Sequence, residues 1–319
     1  MALNQLAQSR SKPLVEELLI QLGRELRGRN YNFTAVTPLT HHRVLNRARE
    51  DTLLAAFGWN CWFRREEMES ILFELLMRSE QLDSTNGLFR SRVRFASLDE
   101  LLFMHSAYPT VQNDSVFFGP DTYRFARALR LALHGWRRAP TTRLIDMGCG
   151  SGAGGIFSAR FLPTGSEIIL SDLSGTATQF SRINAHLNDL PHIKTVVSDA
   201  FDNISGDADV IICNPPYLVD EKKRTYRHGG GSHGISLSLR FAKEGLERLK
   251  PGGRFVMYTG TPITRNVDPL FKGLHAILPS NISRYTYEEL DPDVFGEELE
   301  MPAYSQVDRI AVVLLTVDK

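Results

Sequence analysis

Apolar residues recur at spacings of three and four through Pro13-Leu14-Val15-Glu16-Glu17-Leu18-Leu19-Ile20-Gln21-Leu22, with the proline where a first helical turn can spare a donor. The same period predicts a second helix over residues 66–78. Ser97-Leu98-Asp99-Glu100 has the spelling of a capping box, which places a helix at Leu101-Leu102-Phe103. Residues 88–95 (LFRSRVRF) alternate more like a short strand. Together these patterns predict a mostly helical N-terminal domain, residues 1–110. Its arginines and His41-His42 are expected to form a solvated surface.

A joint follows at about residues 106–120, and the grammar changes. Short apolar runs predict strands at 143–147, 167–171, 194–198, 209–213 and 254–258, alternating with helices at 122–133, 154–161, 176–188 and 235–249. Residues 282–287 and 309–317 are expected to close the sheet. This alternation is the α/β pattern: a parallel sheet with helices on both faces, binding ligands at the carboxyl ends of its strands. The second domain is therefore residues 111–319. No internal repeat is evident.

The chain has 319 residues, 42% hydrophobic and 23% charged, enough for one large domain or two smaller ones. Its longest apolar run, Ile310 to Leu315, is far short of the roughly 18 residues of a membrane span, so no membrane partner is expected. The opening Met-Ala-Leu-Asn-Gln lacks the basic-then-apolar layout of a secretory signal. Cys61, Cys149 and Cys213 are too few and too scattered for a disulfide framework or a zinc site, so a reduced, cytoplasmic setting without metal is expected. Lysine plus arginine balances aspartate plus glutamate at 37 each, so no global field draws nucleic acid to the chain.

The candidate chemistry begins where the first strand of the sheet ends, in Asp146-Met147-Gly148-Cys149-Gly150-Ser151-Gly152. Gly148, Gly150 and Gly152 permit a tight turn and let a ligand approach the backbone. Asp172, in L-S-D-L-S after the second strand, is placed to accept both ribose hydroxyls of an adenosine-like ligand. Gly148-x-Gly150-x-x-Ala153 also satisfies the looser fingerprint of a dinucleotide dehydrogenase, so the glycines alone leave both ligands open. Three features favour the other. The Asp146 carboxylate can face a cationic amino-acid moiety but would repel a pyrophosphate. The third strand ends in Ser198-Asp199-Ala200-Phe201, suited to the edge and face of an adenine. The fourth ends in N-P-P-Y, residues 214–217.

This ordered set resembles the class I S-adenosylmethionine-dependent methyltransferases. The resemblance implies a Rossmann-like class I methyltransferase sheet, mostly parallel with an antiparallel last strand, and S-adenosyl-L-methionine as cofactor. It further implies that Asp146 and the glycine loop lie near the methionine part of the cofactor. Asp172, with Leu173 beside it, would hold the ribose, Asp199 with Ala200 would contact the adenine, and Asn214 would border cofactor and acceptor alike.

Methyl transfer is an in-line displacement at an already activated carbon, so the protein must mainly orient the acceptor and shape its electrons. A planar amide or exocyclic amine is a poor nucleophile because its lone pair is delocalised. The Asn214 side-chain oxygen and the Pro215 carbonyl offer acceptors for such a nitrogen's two hydrogens. The paired prolines fix that carbonyl's direction, and Tyr217 offers a flat face for stacking. Those bonds strengthen as the nitrogen turns tetrahedral, which favours the transition state. Asn214, Pro215 and Tyr217 are the candidate catalytic residues, with Pro216 beside them at the acceptor.

Within that class the chain is most similar to the release-factor glutamine methyltransferase family, over roughly residues 116–258 and the last strand. The similarity is carried by V-F-F-G-P-D-T-Y-R-F (116–125), S-D-L-S-G-T-A-T-Q-F-S-R-I-N-A from Ser171, N-P-P-Y, Gly230-Gly231-Ser232-His233-Gly234-Ile235, Leu249-Lys250-Pro251-Gly252-Gly253 and Asp308-Arg309-Ile310. It implies a protein substrate, such as a translation factor, bound by the helical N-terminal domain. The chain departs from the family at Gly119-Pro120-Asp121-Thr122, where proline-arginine-proline-glutamate is usual, and at His233, where an acid is usual; its N-terminal domain is also longer.

Residues 288–300 (EELDPDVFGEELE) are expected to form a solvated hairpin or, alternatively, a recognition insert. Lys222, Lys223, Arg224 and Arg227 follow N-P-P-Y on a segment expected to be mobile, to cover an anionic substrate such as RNA or to stay in water. The alternatives to a protein acceptor are RNA, a small molecule, or a cofactor-binding subunit without chemistry. Neutral charge weighs against RNA, the later glycine segment against a metabolite, and an intact N-P-P-Y against a passive scaffold.

Overall fold

The apolar runs of the second half pair into one seven-stranded sheet, and the first third of the chain packs onto one of its faces. The computed structural model describes residues 2–45, 47, 50–110, 112–136, 140–231, 233–279 and 281–319, and of residues 2–14 the backbone alone. Val111, the first residue assigned to the second domain, and Ser232 of the later glycine segment lie outside the described residues.

In chain order the first third holds α1 (Ala2–Gly28), α2 (Pro38–Leu45), β1 (Phe63–Arg64), α3 (Ser70–Arg78), β2 (Leu82–Thr85), β3 (Leu88–Ser91), β4 (Val93–Leu98) and β5 (Leu101–Ser106). α4 (Pro120–Leu133) leads into β6 (Arg143–Met147), α5 (Ala153–Ser158), β7 (Glu167–Asp172), α6 (Gly175–Leu187), β8 (Lys194–Val197) and β9 (Ala208–Cys213). Then come α7 (Ser236–Glu247), β10 (Leu249–Ile263), α8 (Pro269–Ile277), β11 (Arg284–Asp291) and β12 (Arg309–Asp318).

The large sheet has the order β11-β12-β10-β9-β6-β7-β8. Strands β6 to β10 are parallel, and β12, the last in the chain, runs antiparallel between β10 and β11. This is the mostly parallel, Rossmann-like sheet that the sequence predicts. β6 and β9 sit at its centre and are near-continuous apolar runs because both of their faces are covered. Leu144, Val210 and Ile212 face α4, α5, α6 and the N-terminal third, while Ile145, Met147, Ile211 and Cys213 face α7 and α8. β10 runs to Ile263, beyond the predicted 254–258, because β12 pairs with it from Arg254 to Ile263.

Several N-terminal expectations are overturned. The run after Ser97-Leu98-Asp99-Glu100 is a strand: β4 and β5 form a hairpin in register Leu98↔Leu101, with Asp99 left-handed at the turn. The cause lies in the distant α6. The Asn184 amide accepts from Met104 N–H (2.7 Å) and donates to Met104 C=O (2.9 Å), and Asn188 does the same for Leu102 (3.1 and 2.8 Å). Two side chains one helical turn apart thus satisfy alternate backbone groups of a strand edge that would otherwise be buried unpaired. The predicted 88–95 strand divides into β3 and β4, and the helix predicted from residue 66 begins at Ser70 after a 3-10 turn over Arg65–Glu67. His41 is buried, stacked 4.2 Å from Tyr108, and so forms no solvated surface.

Asn184 also donates to Ser151 C=O (2.9 Å), which ties the N-terminal hairpin to the glycine loop. Asn184→Ala leaves the Met104 N–H and two carbonyls buried without partners, and is expected to cost about 3 kcal/mol in urea unfolding. A loss below about 1 kcal/mol would show that the tie carries little of the stability.

Candidate active site

The carboxyl ends of the central strands open into a cleft of about 220 Å³. Asp146, Gly148, Gly150, Asp172, Leu173, Asp199, Ala200, Asn214, Pro215, Pro216 and Tyr217 all line it. Gly152 stands behind the loop and does not line the cleft. Its φ is +78°, and a Cβ there would sit 2.9 Å from Ser181 and 3.0 Å from Leu170, so it is a packing glycine.

Two carboxylates fold the glycine loop. Asp146, only 1% exposed, accepts the Gly155 N–H at 2.7 Å. Burial pushes its carboxyl up to about 7, with the charge of Asp172 adding to the effect. Asp172 accepts Gly150 N–H on one oxygen and Ser174 N–H on the other, both at 2.9 Å, and burial raises its carboxyl too. Between them Gly150 lies at φ +53°, with no heavy atom within 4 Å of where a Cβ would stand, so bare backbone faces the cleft.

At the next strand end, Arg240 of α7 holds Asp199 at 2.7 Å, and Ala200 beside it is buried with a left-handed φ of +46°. Leu173 is exposed on the rim. Asn214 follows directly on β9. Among the described residues nothing hydrogen-bonds its side-chain amide or the Pro215 carbonyl, so both polar groups stand uncommitted in the cleft wall. Tyr217 is 6% exposed; its hydroxyl donates to the Asp121 carboxylate. Its ring fills the space over Gly260, where a Cβ would lie 2.2 Å away, and meets Phe295 edge to face at 5.9 Å.

Other wall residues were not among those expected at the site, although Asp121 and Phe125 lie in the 116–125 segment that carries the family similarity. Asp121 and Phe125 come from α4, Leu237 and Phe241 from α7, and Phe295 from the stretch after β11. The acidic stretch is part of the hairpin between the antiparallel β11 and β12 and is mostly exposed, as expected, but it is not solvated throughout: Phe295 lines the cleft and Glu298 is buried against Arg227. The basic segment is likewise tied down, since Arg224 bonds Asp220 and Tyr226 bonds Thr110 C=O. His233 is exposed and does not line the cleft.

The methyltransferase small domain matches residues 124–276. A candidate protein N5-glutamine methyltransferase of Methanocaldococcus jannaschii is 32% identical over 140 residues, 42% of this chain and 70% of the relative. The chain belongs to the S-adenosylmethionine-dependent methyltransferase family. Release factor glutamine methyltransferases of Deinococcus radiodurans and Chlamydia trachomatis are 31% identical over 139 residues (40% of this chain, 49% of the relative) and 39% identical over 177 residues (51% and 59%). The chain spans about half the length of most of the curated relatives it matches.

The cofactor implied by this membership is S-adenosyl-L-methionine, and the residues present fit it. The bare backbone at Gly150 and the two buried carboxylates of Asp146 and Asp172 line the same cleft, which gives a polar cofactor both close backbone approach and acceptor oxygens.

Because the Asp146 carboxyl is raised in the folded protein, its neutral form is favoured there. The stability this group contributes is fully present below about pH 4 and is lost as pH rises to about 7. Asp146→Asn keeps an oxygen for Gly155 N–H and cannot ionise. Denaturation is expected to show it gaining on the wild type by up to about 3–4 kcal/mol between pH 4 and pH 7.5. A difference that stays flat with pH would contradict the assignment.

Proposed function

We propose that this chain transfers a methyl group from S-adenosyl-L-methionine to a planar nitrogen, and that the acceptor is a glutamine side-chain amide of a protein. The carrying observation is the uncommitted pair at the end of β9, the Asn214 amide and the Pro215 carbonyl, in the same cleft as the glycine loop. The bound cofactor supplies an electrophilic methyl carbon. Asn214 and Pro215 accept the two hydrogens of the acceptor nitrogen and hold it as its lone pair turns outward. Tyr217 gives that planar group an aromatic wall. Asp172 retains lone pairs for ribose hydroxyls after its two backbone bonds, and Asp146 in its charged form matches a cationic amino-acid end. The Asp199–Ala200 corner, with Leu173 on the rim, takes the adenine.

A protein acceptor agrees with the names of the relatives and with the local charges. Of the four cations at 222–227, Arg224 and Arg227 are paired with Asp220 and Glu298, which leaves only Lys222 and Lys223 of that segment exposed to a phosphate backbone. Residues 1–110 would present the protein substrate to the open end of the cleft.

Asn214→Ala is expected to leave cofactor affinity within a few-fold and to lower turnover roughly 100-fold or more. Equal losses in both would argue against an acceptor-orienting role. Asp172→Ala is expected to weaken cofactor binding about tenfold to a hundredfold by calorimetry, and unchanged affinity would remove it from the ribose site. Incubated with methyl-labelled cofactor and a cell extract, the protein should label material that is lost to protease, resists ribonuclease and yields N5-methylglutamine on digestion. Label lost to ribonuclease alone would overturn the protein acceptor.

A further inference from the structure

Asp121 lies 96 residues before Tyr217, in the first turn of α4, yet its two carboxylate oxygens end in the cleft's aromatic wall. One oxygen accepts the Tyr217 hydroxyl; the other accepts the Tyr258 hydroxyl of β10 at 3.0 Å. The carboxylate is 6% exposed and raised by burial, so it is an expensive group to keep there. Arg124, its neighbour at 3.4 Å, is shared with Asp291 at 3.0 Å. Charge balance alone would be served as well by a carboxylate at the surface.

The ring that Asp121 holds has reason to need holding. Tyr217 follows two prolines, so its backbone is stiff, but nothing covalent fixes its side-chain torsions. One side of the ring lies against Gly260, the only residue type that leaves it room, and Phe295 meets it at its edge. A tether on the hydroxyl fixes the remaining freedom of the ring. Pre-orienting a group to within about 10–20° is the scale on which such sites gain or lose rate.

We propose that Asp121 is a positioning residue of this site: by accepting the Tyr217 hydroxyl it sets the angle of the aromatic wall against which the acceptor group lies. Its effect on turnover rests on the planar-nitrogen function proposed above, whereas its hold on Tyr217 does not. Tyr258 is the internal control, since it binds the same carboxylate but does not line the cleft.

The test compares Tyr217→Phe, Asp121→Ala, Asp121→Asn and Tyr258→Phe, using methyl transfer into the same cell extract and cofactor affinity by calorimetry. Tyr217→Phe and Asp121→Ala are expected to lower kcat about tenfold or more with cofactor Kd within threefold. Asp121→Asn, which can still bond the hydroxyl, should recover most of that loss, and Tyr258→Phe should stay within about threefold of the wild type. Turnover by Tyr217→Phe within twofold of wild type, or an equal loss in Tyr258→Phe, would overturn the proposal. Should the wild type label nothing, the planar-nitrogen function fails. The tether is then read from thermal unfolding: Tyr217→Phe and Asp121→Ala must shift Tm non-additively when combined, and additive shifts would overturn it.

Discussion

Two buried carboxylates with nothing but backbone amides to bond are the constraint on which the site depends. Asp146 and Asp172 end neighbouring parallel strands, and neither can sit in the sheet edge without donors. Gly155, Gly150 and Ser174 supply those donors from the segments that follow the two strands. The turn that results is possible because Gly148, Gly150 and Gly152 take left-handed torsions that side chains resist. Loop shape and acid placement are therefore one feature, and the cleft is its outer surface.

The rest of the wall is assembled from distant parts of the chain. α4 contributes Asp121, α7 contributes Phe241 and the arginine that holds Asp199, and the stretch after β11 contributes Phe295. Around N-P-P-Y the polar groups divide into two sets. The Asn214 amide and the Pro215 carbonyl stay uncommitted, while the Tyr217 hydroxyl and the nearby arginines are fully engaged. Such a division suits the proposed acceptance of a neutral planar group: acceptors are free at one point, and the nearby arginines are paired so that they do not compete for it.

The N-terminal third shares this logic of satisfaction. Its β4–β5 hairpin lies on α6 with an edge that would be buried unpaired but for Asn184 and Asn188. Glu16 and Arg27 of α1 add ion pairs to Arg182 and Asp189 of the same region. One helix therefore connects the N-terminal elements, the glycine loop through Ser151 and, at its start, the turn that carries Asp172.

Periodicity and local chemistry determined most of the sheet. Buried parallel strands are short apolar runs between amphipathic helices, so β6, β7, β8 and β9 were legible to within a residue or two, and the glycines, aspartates and N-P-P-Y fell at their ends in the order the cleft requires. Local spelling failed where partners far along the chain set the outcome. Ser97-Leu98-Asp99-Glu100 starts no helix because two asparagines more than 80 residues away bond the strand that follows. Asp121 is an ordinary helix-start acid until Tyr217 and Tyr258 bring their hydroxyls to it, and Phe295 is one apolar residue in an acidic stretch until it meets Tyr217. Backbone conformation and hydrophobic period are written in neighbouring residues. The satisfaction of a buried polar group depends on whatever the fold brings within about 3 Å, and that only the tertiary structure decides.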